Sequence, residues 1–188
     1  MAYPTTYDYR VDSEDRICWV SPAWEDFARQ NGAPHLTEGA VLGTYLWDYV
    51  SGEETRYLYR LMLASVRTRG RTVTLPFRCD SPTLLRHMEL RIAAVPRGEV
   101  KLRGVLLREE QRPYLALLDP SAARVDKLLT ICSWCKQIRV SDLEWLEPED
   151  AVRRLKLFDA VRLPRLTHGI CTSCEAKALG ESDAPNRR

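Results

Sequence analysis

Two pairs of cysteines carry the strongest chemistry in this 188-residue sequence. Cys132 and Cys135 form one C-x-x-C pair, and Cys171 and Cys174 form a second. Two intervening residues let a tight turn aim both sulfurs at one point, while the amides of the turn hydrogen-bond to those sulfurs. Two such pairs complete a tetrahedron of thiolates around a metal ion, with Zn–S distances of about 2.3 Å. The spacing therefore predicts one structural zinc ion bound by four cysteines.

Other chemistry is open to the same residues. Sets of four cysteines also hold iron, either in a rubredoxin-like centre or in an Fe–S cluster. A pair such as Cys132 and Cys135 can lower a thiol pKa for thiol–disulfide exchange, although no strand-to-helix thioredoxin-like context surrounds it. His168 is an alternative ligand in a site of three cysteines and one histidine. A four-thiolate site leaves no open coordination position, so we expect no metal-dependent catalysis there.

The elements that position these cysteines are predicted to be helical. The segment between the two pairs has room for a helix over residues 148–157, and a second helix is predicted to begin at the second pair and to include residues 176–179. Trp134, inside the first pair, is predicted to shield the metal and to pack against a neighbouring domain or against Trp145.

Three stretches of this region carry a family resemblance: residues 131–139, ICSWCKQIR; residues 145–147, WLE; and residues 167–174, THGICTSC. Together they resemble a four-cysteine module that is appended to PAS and other sensory domains in bacterial signalling proteins. The resemblance covers about residues 128–178. It implies an accessory metal module and does not define a biochemical output.

In the first part of the sequence, apolar and polar residues alternate as they do in the strands of a sheet. Segments with helical spacing interrupt this alternation. Ser21 and Pro22 are typical of a helix start, and Gly32 is typical of a helix end. Two strands, a helical stretch and three strands predict one five-stranded antiparallel sheet with helices on one face, an α+β fold. The predicted elements are strands at 7–11 and 16–20, helices at 22–31 and 53–69, and strands at 72–79, 87–94 and 100–108.

This element order, with Trp24, Phe27, Ala28, Asn31 and Gly32 following a hairpin, resembles the PAS sensor family over about residues 5–112. The resemblance implies a curved sheet whose helices enclose a pocket. Domains of this family sense small molecules, redox state or light in bacterial signalling, or they dimerise.

Four segments follow from these patterns. We predict a PAS-like sensor domain over residues 1–118, a linker helix over 119–130, the zinc module over 131–180 and a disordered tail over 181–188. The linker helix is predicted from the helical spacing of four apolar residues, and it would connect the domains or pair with its copy in a dimer. These residues are Ala122, Val125, Leu128 and Leu129.

Three residues are candidates for binding a ligand in the PAS-like domain. Cys79 is predicted on the inward face of its strand, Arg78 precedes it, and Trp47 is an aromatic residue that could line a pocket. Simpler interpretations exist for each: a small buried thiol for Cys79, a solvated ion pair with Asp80 or Glu89 for Arg78, and plain core for Trp47. The sequence does not identify the ligand.

Charge and composition restrict the class of partner. Lys and Arg number 28 against 26 Asp and Glu, and residues 1–120 carry 16 of each sign. No basic field of the kind that nucleic acids require is present, so we expect no nucleic-acid partner. The N-terminus lacks a secretory leader and no apolar run approaches the ~20 residues of a membrane span. We expect the protein to be cytoplasmic. Paired cysteines remain reduced in that compartment.

These observations predict a sensor or adaptor protein, homodimeric and non-enzymatic, that has a protein partner in a signalling pathway. A small-molecule ligand is a candidate occupant of the PAS-like pocket. The alternative is a redox or gas sensor in which the four cysteines, with zinc or iron, act as the switch.

Overall fold

A computed structural model describes residues 5–158 and 160–183. The N-terminal part of the chain contains the strands β1 (Thr6–Val11), β2 (Ile17–Val20), β3 (Val73–Arg78), β4 (Leu84–Ala94) and β5 (Val100–Gln111). They form one antiparallel sheet in the order β2-β1-β5-β4-β3, so β2 and β3 are its edges. The prediction of a five-stranded antiparallel sheet is confirmed.

Helices α1 (Pro22–Gln30), α2 (Glu38–Val41) and α3 (Glu53–Arg69) lie between β2 and β3 in the chain. The Ser21 side chain accepts a hydrogen bond from the Trp24 amide and caps α1, as its position before Pro22 predicts. Val73 and Ile92 are fully buried cross-strand neighbours, and Met62 of α3 packs in the same core. The arrangement is consistent with a PAS-like fold.

The C-terminal part forms a second unit with its own sheet. Its elements are β6 (Arg124–Cys132), β7 (Ile138–Arg139), β8 (Trp145–Leu146), α4 (Pro148–Arg154), β9 (Leu163–Gly169) and α5 (Thr172–Asp183). The strand order is β8-β7-β6-β9, and β6 and β9 are parallel neighbours. We call this unit the cysteine module. It is more than the helical knuckle predicted from the sequence, because a four-stranded sheet is its framework.

The predicted linker helix over residues 119–130 is wrong, since β6 occupies most of that segment. The apolar spacing fits a helix, but the burial alternates as in a strand: Leu129 and Ile131 are buried, whereas Leu128 is 64% exposed. Pairing with β9 decides the conformation, with an irregularity between Val125 and Leu128. Leu117 was predicted to belong to the PAS-like sensor domain of residues 1–118, but it packs in the core of the cysteine module.

Both helices predicted in the cysteine module are present. Helix α4 is shorter than the predicted 148–157 range, and α5 begins directly after Cys171. Because α5 continues to Asp183, the prediction of disorder is wrong for residues 181–183, while residues 184–188 lie outside the described residues. Within residues 5–158 and 160–183, no helix has the length and apolar character needed to cross a membrane.

Helix α3 contacts both units. Its Leu58, Met62 and Val66 pack in the core of the PAS-like sheet, as their spacing predicts. A second stripe of α3, Thr55 and Tyr59, faces the cysteine module through the turn that holds the first cysteine pair. Tyr57, which lies next to Leu58 in this helix, is 58% exposed.

Gly52 precedes α3 with a φ of 87°, and the backbone of the cysteine module lies directly against it. A Cβ added there would lie 2.7 Å from the carbonyl oxygen of His168, closer than such atoms can approach. We expect Gly52→Ala to destabilise the protein in two ways. The positive φ costs an alanine about 1–3 kcal/mol, and separating α3 from β9 costs a further ~1–3 kcal/mol. Urea unfolding measures the sum.

Gly43 is the matched control for this prediction. Its φ is 82°, but no atom lies within 4 Å of an added Cβ. Gly43→Ala should therefore show the conformational cost alone. Equal losses in the two variants would contradict the close packing of α3 against β9.

Candidate metal centre and its interface

The two cysteine pairs meet because they follow neighbouring parallel strands. Cys132 is the last residue of β6 and is paired with Gly169, the last residue of β9. The chain leaves both strands at the same end of the sheet, so the two C-x-x-C turns face each other. Cys174 then lies in the first turn of α5. The two cysteine pairs are distant in the sequence, and the pairing of β6 with β9 is what brings them together.

The four sulfur atoms form one compact group. Cys132, Cys135, Cys171 and Cys174 have their Sγ atoms within 4.8 Å of one another, and the Cys135 and Cys171 sulfurs are 3.6 Å apart. A tetrahedron with metal–sulfur bonds of about 2.3 Å has edges of about 3.8 Å, which this group matches. All four are free thiols, and all except Cys135 are buried. The prediction that these cysteines form one cluster that can bind a metal ion is confirmed.

The electrostatics of the cluster favour a bound cation. Hydrogen bonds from Cys135 and Cys174 hold the pKa of the Cys132 thiol far below its usual range. Hydrogen bonding to Cys132 raises the pKa of Cys135 to about 12 and also raises that of Cys174. One thiolate is therefore accommodated, and further thiolates beside it need a positive ion. A divalent metal ion that accepts thiolate ligands fits this donor set.

The turn of the first pair docks the cysteine module on the PAS-like domain. The Arg78 amide at the end of β3 donates a hydrogen bond to the Trp134 carbonyl oxygen at 2.6 Å. The hydroxyl oxygens of Thr55 and Ser133 are 2.8 Å apart. The Trp134 ring lies 6.3 Å from the Tyr59 ring, and burial raises the pKa of Tyr59 to about 12. Trp134 thus packs against the neighbouring domain as predicted, in a core that also contains three of the metal-site cysteines.

A buried ionic network also connects the two units. Asp80, whose side chain is 1% exposed, accepts hydrogen bonds from both Arg78 and Arg112. Arg78 also pairs with Glu147, and Arg112 pairs with Glu149, beside and within the first turn of α4. Burial alone would lower the pKa of Arg78, but the hydrogen bonds to Asp80 and Glu147 raise it above its usual value. Each arginine therefore joins the PAS-like domain to the cysteine module.

The three residues predicted to bind a ligand lie in different surroundings. Arg78 is part of the ionic network, and its side chain is buried although the strand pattern predicts it to point outward. Cys79 lies just beyond β3 rather than within it, and burial raises its pKa. Trp47 is half-buried, with the Arg60 guanidinium 4.9 Å from its ring centre. Arg78 and Cys79 line one cavity, whereas Trp47 is not among its lining residues.

Two cavities of about 240 Å³ each are lined in part by Trp134. The first, which we call the thiol cavity, is lined mainly by apolar side chains such as Leu75 and Met88, and it also contacts Cys135 and Cys174. The second, the lysine cavity, contains the Lys136 side chain. It is lined by Tyr49, Val50, Ser51, Thr55, Tyr59, Phe77, Arg78, Cys79, Ser133, Trp134, Lys136 and His168.

Several residues of this interface have no signal in the sequence that would identify them. Lys136 has a φ of 65° and lies in the tight turn after Cys135, where its amide donates to the Cys132 carbonyl oxygen. Its ammonium donates to the Ser133 carbonyl oxygen at 2.8 Å. Burial lowers the pKa of Lys136, although nearby Cys79 opposes the shift. His168, weighed as a metal ligand, lies outside the four-sulfur group and lines the lysine cavity.

Comparison with known proteins gives one structural likeness. No protein-family model matches the chain, and no curated protein matches it. Among solved structures, the PAS domain from Bordetella pertussis BvgS is similar, with 18% sequence identity and a TM-score of 0.34. The match covers 55% of this chain and 71% of that chain.

Proposed function

We propose that this chain is a cytoplasmic bacterial signalling protein, a sensor or adaptor, in which a PAS-like domain is coupled to a four-cysteine zinc module. The observation that carries the proposal is the shared core: Trp134 and the buried cysteines pack with α3 and the PAS-like sheet. We call the turn of the first cysteine pair, residues 132–136, the metal-site turn. A conformational change in the PAS-like domain would therefore alter the packing of this turn. The proposed role is non-catalytic, because four thiolates would leave no open coordination position on the ion.

The output in this proposal is binding to a protein rather than to a nucleic acid. Apolar side chains on the cysteine module support it, since Leu143 is 97% exposed, Val161 93% and Phe158 68%. We also propose that the protein is a homodimer. The helix over residues 119–130 that was expected to pair with its copy does not form, because β6 occupies most of that segment. Light scattering of the purified chain tests this, with twice the 21.6 kDa chain mass as the expected result.

The metal content tests the proposal directly. We expect protein purified without oxygen and without added metal to contain one zinc ion per chain and to be colourless. Elemental analysis with an absorption spectrum measures both. A chain that contains no metal would contradict the zinc module, and iron with visible absorption would transfer the sensing role to the cysteines.

A redox sensor is the second candidate, and the thiol cavity favours it. Cys135 and Cys174 line this cavity, so a small oxidant has a path to two of the four sulfurs. Hydrogen peroxide would take two electrons from a pair of thiolates, forming one disulfide and, with two protons, two water molecules. Release of the ion by mild peroxide, reversed by a thiol reductant, would support this candidate over a purely structural zinc site.

A further inference from the structure

The lysine cavity lies between the two units and is built from both. The PAS-like domain contributes α3, the loop before it and the end of β3, while the cysteine module contributes the turn of the first cysteine pair and β9. Its volume of about 240 Å³ is smaller than the roughly 300–1,000 Å³ of pockets for drug-sized ligands. A ligand with a single ring fits this size.

The walls of the cavity are aromatic. Tyr49, Tyr59, Phe77 and Trp134 all line it, and they come from four different segments of the chain. Aromatic side chains that enclose a small space favour a flat ring, which they contact by offset stacking or edge to face. The aromatic lining therefore favours a ligand that contains a flat ring.

Arg78, Lys136 and His168 are the basic side chains that line the cavity. Among the described residues that line it, none carries a carboxylate. The Arg78 guanidinium is held by Asp80 and Glu147. The Lys136 ammonium lies near Cys79, Asp80 and the metal-site sulfurs of Cys132 and Cys135, but among the described residues it forms no ion pair. An ammonium has three donors, and the Ser133 carbonyl oxygen accepts one of them. The remaining donors suit an anionic oxygen.

We propose that the lysine cavity binds a small aromatic carboxylate, with its ring among the aromatic walls and its carboxylate on the Lys136 ammonium. This inference rests on the proposed sensor function and names the class of signal. The cysteine module supplies Ser133, Trp134 and Lys136, so the ligand site is complete only when the metal-site turn is folded. Binding of the ligand and retention of the metal then stabilise each other by the same factor, as thermodynamic linkage requires.

Benzoate and benzamide are matched probes, because they share a ring and differ mainly in charge. We expect the full-length, metal-loaded protein to bind benzoate saturably and at least about tenfold more tightly than benzamide, the worth of one charge-assisted hydrogen bond. Calorimetry measures the affinities. Lys136→Gln should reduce benzoate binding to the level of benzamide, whereas Lys127→Gln, an exposed lysine on β6, should leave both affinities unchanged.

A second variant tests the aromatic wall without altering the metal-site turn. Tyr49 is 39% exposed at the cavity and bonds through its hydroxyl to Thr44. Tyr49→Ala should weaken benzoate and benzamide equally, by about fivefold or more, the worth of one aromatic contact. Benzoate binding that survives both Lys136→Gln and Tyr49→Ala unchanged would place the ligand elsewhere and overturn the inference.

Metal analysis of the same samples separates two kinds of failure. A chain that retains one metal ion but shows no saturable benzoate binding overturns the ligand inference and leaves the metal module in place. Removal of the metal should abolish benzoate binding, because the turn that contributes Trp134 and Lys136 unfolds. Equal benzoate affinity with and without metal would overturn the composite site.

Discussion

Cys171→Ser is expected to abolish metal binding and to unfold the cysteine module. Serine cannot replace a thiolate ligand, and structural zinc sites of this kind contribute roughly 10–16 kcal/mol of apparent binding free energy. Cys171 is 3% exposed and lies where β9 leads into α5, so both elements lose their anchor. Elemental analysis measures the metal, and hydrogen exchange measures the order. Amides of β6 and β9 should lose protection while those of β4 and β5 keep theirs.

The PAS-like domain in this variant should stay folded but become less stable. Its own sheet and core remain, whereas Trp134 no longer packs against Tyr59 in the second stripe of α3. Cys18→Ser is the matched control, because Cys18 is an exposed thiol outside the cluster and its variant should keep one metal ion per chain. Retention of a full metal complement by Cys171→Ser would show that another residue completes the site.

Asp80→Asn has the second-largest expected effect. The substitution keeps the shape of the side chain but removes the negative charge that Arg78 and Arg112 share. Because both guanidinium groups are buried, an unpaired cation remains in the interface, which typically costs about 3–5 kcal/mol. The free energy of unfolding in urea should fall by this amount. Glu147 and Glu149, which are partly exposed, only partly compensate.

Two further variants make this test specific. Asp26→Asn removes the charge of an exposed pair with Arg29 and should change stability by less than about 1 kcal/mol. Combining Asp80→Asn with Arg112→Met should recover part of the loss, because it removes one of the stranded cations. Equal effects of Asp80→Asn and Asp26→Asn would show that the network does not hold the two units together.

Local patterns predicted most of the PAS-like domain. Ser21 and Pro22 marked the start of α1, and the spacing of Leu58, Met62 and Val66 marked the buried face of α3. These signals work because capping and side-chain periodicity act within one or two turns of the chain. Burial of Arg78 was not predictable in this way, since the alternation of β3 is overridden where the cysteine module covers the strand.

The segment from Ala122 to Leu129 shows the limit of periodicity. Its apolar spacing fits a helix, yet Arg124–Cys132 is a strand, because it pairs with β9, and 30 residues separate the end of β6 from the start of β9. A strand gains its hydrogen bonds from another segment, so its stability depends on a partner that local sequence does not specify. The same pairing is what brings the two cysteine pairs together.

The sequence by itself determined the donor set and the two local turns of the metal centre, because C-x-x-C spacing aims two sulfurs at one point without help from the rest of the chain. It also determined the order of strands and helices in the PAS-like domain. The tertiary structure alone decided that the module and the domain share a core, that Asp80 links two arginines across the interface, and that Lys136 faces a cavity built from both units. These features join residues that are distant in the chain, and only the packed chain brings such residues into contact.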